Sequence, residues 1–360
     1  MLDTQLRVPI SKMRLIATDA KKCAKAARLI YVSDTKLGIR RIRKGKGFVY
    51  LYDNKKVTDA EMLNRIKHLV IPPAWKNVWI CSIENGHIQA TGFDLRNRKQ
   101  YRYHSQWNLL RNQTKFSRML LFGEKLPLLR LQLEKDLSKK ELGLEKILAA
   151  VISVMERTYI RIGNSEYEKT NGSYGLTTLK DQHVKFNGDS IQFSFIGKKG
   201  IAHKINLNNR KLARIVKQSR EIPGKELFQY YDENGNAHAI DSGMVNRYIR
   251  EITGEEFTAK DFRTWAGTLN ALKIFKELGQ AETQTEIKKK VVEALEFVSK
   301  KLGNTRTVCK KYYVHPLIIE LFEKQSLSGY LNDLDRIEKD DSLTGWTNSE
   351  VILMKILRST

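Results

Sequence analysis

Along the 360 residues, the rhythm of apolar and polar positions changes near residue 108. Before that point, short runs alternate with period two, as half-buried strands do. They cover residues 48–52, 75–81 and 87–91, with Asp53-Asn54 as a turn. Two helices accompany them. One is predicted over residues 18–29. The other follows Thr58-Asp-Ala-Glu61, which has the spacing of a capping box with Thr58 as cap, and continues through Met62, Leu63, Ile66 and Leu69. Ile71-Pro72-Pro73 stops it, since the residue before a proline is pushed out of the helical region. The basic stretch Gly38-Ile-Arg-Arg-Ile-Arg-Lys-Gly-Lys-Gly47 reads as a loop, because glycines among cations let backbone approach a phosphate. Together these elements predict a small, mainly β module that closes at residues 103–107.

Beyond residue 108 the period becomes helical, clearest where Leu142, Leu144, Ile147, Leu148, Val151, Ile152 and Met155 share one face. Further helices are predicted over residues 209–219, 242–252, 258–278 and 285–302, the last ended by Gly303. One β interlude interrupts them, with runs at 176–179, 183–186, 190–196 and 201–207. Its Asn187-Gly188 turn predicts a hairpin within a three-stranded sheet, with Lys198 at the glycine-flanked tip Gly197-Lys-Lys-Gly200. After Gln325, Leu334, Ile337, Val351, Ile352 and Ile356 predict one or two packed helices. The expected fold class is α+β, divided into a basic β-rich domain at 1–107, a mainly α domain at 108–325 and a helical tail at 326–360. No repeat or low-complexity linker is visible.

Composition narrows the functional classes. With 41% hydrophobic residues, the chain can bury a large core. No run of 18 apolar residues and no signal-peptide pattern is present, so the expected location is the cytosol or the nucleoid. Cys23, Cys81 and Cys309 are scattered singly, which predicts buried thiols rather than disulfides or a zinc module. Charge changes the picture most: the net is +24, and residues 1–115 contribute +16 of it, from 24 basic and 8 acidic side chains. Such a balance points to a polyanionic partner, with a merely soluble or ribosome-associated basic protein as the plain alternative.

Phosphodiester transfer needs a nucleophile, cations around the phosphorus and a proton for the leaving oxygen. HExxH, paired-carboxylate and Walker patterns are missing, so no metal or nucleotide cofactor is expected. An ordered set of candidates is present instead. Arg161 lies in Tyr159-Ile-Arg-Ile-Gly163, Lys198 on the hairpin tip and Arg263 in Asp261-Phe-Arg-Thr-Trp265. Asn304 and the pair Tyr312-Tyr313 share one stretch, Asn304-Thr-Arg-Thr-Val-Cys-Lys-Lys-Tyr-Tyr-Val-His315. His87, His183, His203 and His238 lack ligand spacing and receive no role.

At these residues the chain resembles type IB DNA topoisomerases of the small poxvirus and bacterial kind, over residues 27–321. The match is strongest in Arg161-Ile-Gly163, Gly175-Leu-Thr-Thr-Leu-Lys180 and Phe195-Ile-Gly-Lys198. The resemblance implies that Arg161 and Arg263 clamp the scissile phosphate and that Lys198 is the general acid, a role Lys199 could exchange with it. Asn304 stands where poxvirus enzymes have histidine; its amide can bond a phosphate oxygen but cannot exchange a proton, and it could also cap a helix after Gly303. Family spacing, nine positions beyond Asn304, makes Tyr313 the nucleophile, with Tyr312 as the competing neighbour. Gly92-Phe-Asp-Leu-Arg-Asn-Arg-Lys-Gln-Tyr-Arg-Tyr-His104 matches the stretch that touches the major groove, which assigns DNA contacts to Gln100, Tyr101, Tyr103, Arg98 and Lys99. Arg41 and Arg43 in the basic stretch join them as phosphate contacts. The implied activity is ATP- and metal-independent relaxation of supercoiled duplex DNA by a monomer that clamps it. A tyrosine recombinase and a non-catalytic architectural DNA-binding protein are the alternatives.

Overall fold

The computed structural model describes residues 19–332 and 345–359, apart from 46, 96 and 98. Arg98, Leu334 and Ile337 therefore lie outside the described residues. The chain forms two compact units, one up to residue 118 and one from 119 onward.

In the first unit, α1 (Ala20–Ala26) is capped by Asp19, whose carboxylate accepts from the Lys21 and Lys22 N–H groups. A six-stranded antiparallel sheet follows: β1 (Ile39–Lys44), β2 (Gly47–Tyr52), β3 (Lys55–Lys56), β4 (Lys76–Ile80), β5 (Ile88–Phe93) and β6 (Lys99–Tyr103), in the spatial order β3-β2-β1-β4-β5-β6. The basic stretch expected as a loop is thus strand β1. Its alternation is masked by cations, but Ile39 is buried, and the strand pairs with β2 on one side and β4 on the other. Helix α2 (Ala60–His68) lays Ile66 on a small core with Ile39, Val78, Ile80 and Ala90. Its cap is Asp59, which accepts from the Met62 N–H at 2.6 Å, one residue beyond the expected Thr58.

The long helix α3 (Ser105–Leu137) begins in the first unit and continues into the second. There α4 (Leu144–Thr158) buries the predicted apolar face and more, from Lys146 through Met155. A short helix, α5 (Ser165–Asn171), precedes residues 176–179, which were expected as a strand and instead form a buried 3₁₀ turn at Leu176–Thr178. The three-stranded antiparallel sheet β7 (Val184–Asn187), β8 (Ser190–Ile196) and β9 (Ala202–Asn208) has the Lys198 turn between β8 and β9, as the sequence predicts. Then come α6 (Arg210–Arg220), the hairpin β10 (Gln229–Tyr231) and β11 (Ala237–Ala239), and α7 (Ser242–Thr253), α8 (Ala259–Leu278), α9 (Gln284–Leu302), α10 (Arg306–Tyr312), α11 (Pro316–Glu323), α12 (Ser328–Leu331) and α13 (Asn348–Arg358). One continuous core joins α3, α4, the sheet and α6 to α13. The mixed α and β composition, with a β-rich first unit and a mainly helical second one, is the expected fold class. Cys23, Cys81 and Cys309 are buried free thiols.

Candidate active site and nucleic-acid interface

Two helix ends build the cationic centre. Helix α4 stops at Tyr159, whose φ of 58° is left-handed, and the chain turns so that Arg161 follows two residues later. Helix α9 stops at Gly303, where the Gly303 N–H returns to Lys300 O and the Asn304 N–H to Ser299 O, closing the last turn. The free carbonyls at these ends receive the two arginines. Arg263, only 5% exposed, donates from Nη1 to the Tyr159 carbonyl and from Nη2 to the Leu302 carbonyl at 2.6 Å. Arg161 donates from Nη2 to the Gly303 carbonyl at 3.0 Å and to Asn304 Oδ1 at 2.6 Å. Because helix C-termini carry partial negative charge, they are favourable seats for buried cations.

The sequence motifs around Arg161 act as backbone clasps. The Leu176 N–H donates to the Arg161 carbonyl at 2.9 Å and the Thr177 N–H to the Ile162 carbonyl at 2.7 Å. A side chain at Gly175 would fall 2.5 Å from the Gly163 nitrogen, so this approach requires glycine.

Tyr313 closes helix α10, with its N–H on the Cys309 carbonyl at 2.9 Å. Its ring lies under the Arg263 guanidinium, 5.3 Å from carbon Cζ to the ring centroid. Its backbone lies against α8. The Thr268 hydroxyl donates to the Tyr313 carbonyl at 3.2 Å and accepts from the His315 N–H at 3.0 Å, while a Cβ at Gly267 would meet the Tyr313 backbone carbonyl oxygen at 2.4 Å. Tyr312 is an exposed residue one position earlier, with Lys311 over its ring.

Lys198 stands on the β8–β9 turn, held by the Gly197 N–H to the Ile201 carbonyl at 2.7 Å, and it lines the same narrow cleft as Arg161, His203 and Lys301. Although the side chain is largely exposed, partial desolvation and then the Arg161 charge hold its pKa below the ordinary lysine value. Burial and the neighbouring Arg263 bring Arg161 down to about 10. A phenolate at Tyr313 would favour the charged forms of Lys198, Arg161 and Arg263, so the four side chains are close enough to interact electrostatically.

Asn304 is oriented by chemistry. A guanidinium offers donors only, so the amide must turn Oδ1 toward Arg161, which leaves Nδ2 with a long 3.4 Å contact to the Leu302 carbonyl. The cap of α10 is Thr305 rather than Asn304.

In the first unit the candidate contacts Lys99, Gln100, Tyr101 and Tyr103 lie on β6, an edge strand of the sheet, and Arg41 and Arg43 on β1. Tyr101 and Tyr103 are 44% and 38% exposed, and their rings stack at 5.7 Å. Behind them Tyr103, Trp107, His87 and Tyr31 continue the aromatic row. Lys99 pairs with Asp34 at 2.6 Å and Gln100 donates to Asp94 at 2.9 Å, so both already have acidic partners. Arg43 is exposed. Arg41 is not a free cation: it donates to the carbonyls of Ile71, Pro72 and Trp75 at 3.2, 3.0 and 2.9 Å, tying β1 to the proline turn.

Residues 104–339 match the family model described as eukaryotic DNA topoisomerase I, catalytic core, and residues 47–94 match that of the bacterial DNA topoisomerase IB N-terminal domain. DNA topoisomerase 1B of Acanthamoeba polyphaga mimivirus is 32% identical over 294 residues, which cover 79% of this chain and 88% of that protein. The chain belongs to the type IB DNA topoisomerase family. A more distant relative, DNA topoisomerase 1B of vaccinia virus (strain Copenhagen), is 21% identical over 77% of this chain and 90% of its own length.

Against this type IB background, sequence reasoning found the ordered cations and tyrosines but missed their supports. Gly267 and Thr268 carry no signal except their place one helical turn after Arg263. His203 lacks ligand spacing in the sequence, yet it lines the cleft. Among the described residues no group of three or more His, Cys, Asp or Glu is placed to hold a metal, and no helix is long and apolar enough to cross a membrane.

Proposed function

We propose that the chain relaxes supercoiled duplex DNA by a reversible transesterification at Tyr313. The phenolic oxygen attacks the scissile phosphorus, forming a 3′-phosphotyrosyl ester as the bond to the 5′ oxygen breaks. Lys198 delivers its proton to that oxygen, leaving a free 5′ hydroxyl. Arg161 and Arg263 hold the non-bridging oxygens, where charge grows in the transition state. Religation is the reverse step, with Lys198 taking the proton back, and needs no ATP because the ester conserves the bond. Asn304 acts chiefly on Arg161, with its Nδ2 turned away from the guanidinium as the remaining donor.

The observation that carries this reading is the convergence on Tyr313 of Arg161 and Arg263, seated at two helix ends, and of Lys198 from the β8–β9 turn. Arg263 adds support: its Nε is buried with no partner, a state that costs about 1–3 kcal/mol and favours the arrival of an anion. In the same proposal, residues 1–107 grip the duplex, with the β6 edge and Gln100, Tyr101, Tyr103, Lys99 and Arg43 on the DNA; Arg98, outside the described residues, keeps its assignment as a DNA contact from the resemblance alone. The monomer would clamp DNA in the cytosol or nucleoid, and 108–325 would form the catalytic domain with 326–360 as its tail. Incubation with supercoiled plasmid in EDTA tests the activity. Relaxed topoisomers are expected, and a plasmid left fully supercoiled would overturn it.

A further inference from the structure

We infer that His203 is a positioning residue that seats the Lys198 turn against the Gly303-Asn304 turn, so that general acid and guanidinium act on one phosphate. The inference rests on the reading of Lys198 as general acid. His203 is the second residue of β9 and the register partner of Phe195, on which its ring stacks at 5.1 Å and 22°. The same ring touches two further segments. A Cβ at Gly197, the residue before Lys198, would fall 2.6 Å from His203 Cδ2, and a Cβ at Gly303, whose carbonyl holds Arg161, would fall 2.5 Å from Cε1. Two glycines from separate elements therefore leave room for one imidazole between them. Removing the ring would open space beside the turn that carries Lys198, whose three residues are exposed and are otherwise held by the backbone bonds from Gly197 to Ile201 and from Gly200 to Gly197.

The electrostatics fit a spacer rather than a cation. Burial, then Arg161 and Arg263, hold the imidazole pKa below its ordinary value, so the ring is neutral at neutral pH and adds no repulsion beside Arg161 and Lys198.

A leaving group that needs no proton separates this role from others. In a duplex with sulfur in place of the bridging 5′ oxygen, the departing thiolate is a weak base, and a defect routed through the general acid disappears. Single-turnover cleavage would be measured on oxygen and sulfur duplexes for four variants of the full chain. Lys198→Ala should be slow on oxygen and restored on sulfur, which checks the underlying reading. His203→Ala should be slowed roughly 100-fold on oxygen, the scale expected for misplacement by about 1 Å, and restored on sulfur. His203→Phe, which keeps a flat ring, should stay near the parent on both substrates. Gly197→Ala, which drives a methyl into the ring, should repeat the His203→Ala pattern and serves if His203→Ala folds poorly. Equal slowing of His203→Ala and Gly197→Ala on both substrates would overturn the inference, as would a His203→Phe variant as slow as His203→Ala. If Lys198→Ala is not restored by sulfur, the general-acid reading fails first and the inference falls with it.

Discussion

A phenol with a pKa near 10 is a weak nucleophile at neutral pH, and nothing in Tyr313 itself distinguishes it from Tyr312. Its surroundings do. Arg263 lies over its ring, and its backbone is held on Gly267 and Thr268. Gly267→Ala should therefore slow cleavage by roughly 100-fold through displacement of Tyr313, while circular dichroism shows an intact helical fold; unchanged cleavage would remove the close approach from the account. For Lys198, the lowered pKa gives a signed expectation. An acid must be protonated to act, so single-turnover cleavage should lose rate as pH rises through a value below that of ordinary lysine. The falling limb should vanish in Lys198→Ala, whose overall loss should be about 10²–10⁴-fold. At this scale the family resemblance, carried by the order and spacing of the motifs, singled out residues that the structure brings close together, because order and spacing are linear properties. It did not show what their donors bind. That Asn304 would spend its carbonyl on Arg161, and that Arg41 would serve the Ile71–Trp75 carbonyls, depends on chain segments 143 and 30–34 residues away.

The elements most legible in the sequence are those whose periodicity matches a single buried face. Helices α6, α7 and α9 are of this kind, and so is the Asn187-Gly188 hairpin, whereas α8 is buried on nearly every side. Strand β1 was hidden because five of its six side chains are basic or half-exposed while its backbone does the pairing. The buried 3₁₀ turn at Leu176–Thr178 shows the converse: Leu176 joins the core, but the backbone is tied by the clasp on Arg161 and Ile162. Helix α13 begins beyond the matched catalytic-core segment, yet it is built into the centre. Glu350, 2% exposed, receives both Arg130 terminal nitrogens at 2.8 Å and the Trp265 indole N–H at 2.9 Å, two residues from Arg263. Glu350→Ala leaves the buried Arg130 with Glu156 as its one remaining carboxylate, beside the Gly345 carbonyl, and urea denaturation should show a loss of about 3 kcal/mol. Burial opposes ionisation of Glu350, but the Arg130 bonds outweigh it and the folded-state pKa is lowered. Its contribution should be complete above pH 4.5 and fade as pH falls through the lowered value. A variant as stable as the parent would show that α13 is an accessory.

On the scale of the whole molecule, charge is the dominant property: +24 overall, with +16 in the first 115 residues. Displacing condensed counterions from a duplex makes affinity fall steeply with salt, by about 10³–10⁵ between 50 and 200 mM for six to ten phosphate contacts. Binding titrations on a duplex without a cleavage event should follow that dependence, and a flat response would contradict an electrostatic grip. This bulk signal was readable at once because it needs no fold, whereas the aromatic row on β6 required five strands to be placed before Tyr101 and Tyr103 could be seen at an edge. The proposed function requires that the chain capture DNA covalently through one side chain. The most direct measurement is denaturant trapping on a 5′-labelled duplex, followed by proteolysis and mapping of the labelled peptide in the parent, Tyr312→Phe and Tyr313→Phe proteins. The account predicts label on Tyr313 in the parent and in Tyr312→Phe, and none in Tyr313→Phe. Label on Tyr312, or an unlabelled parent protein, would contradict it.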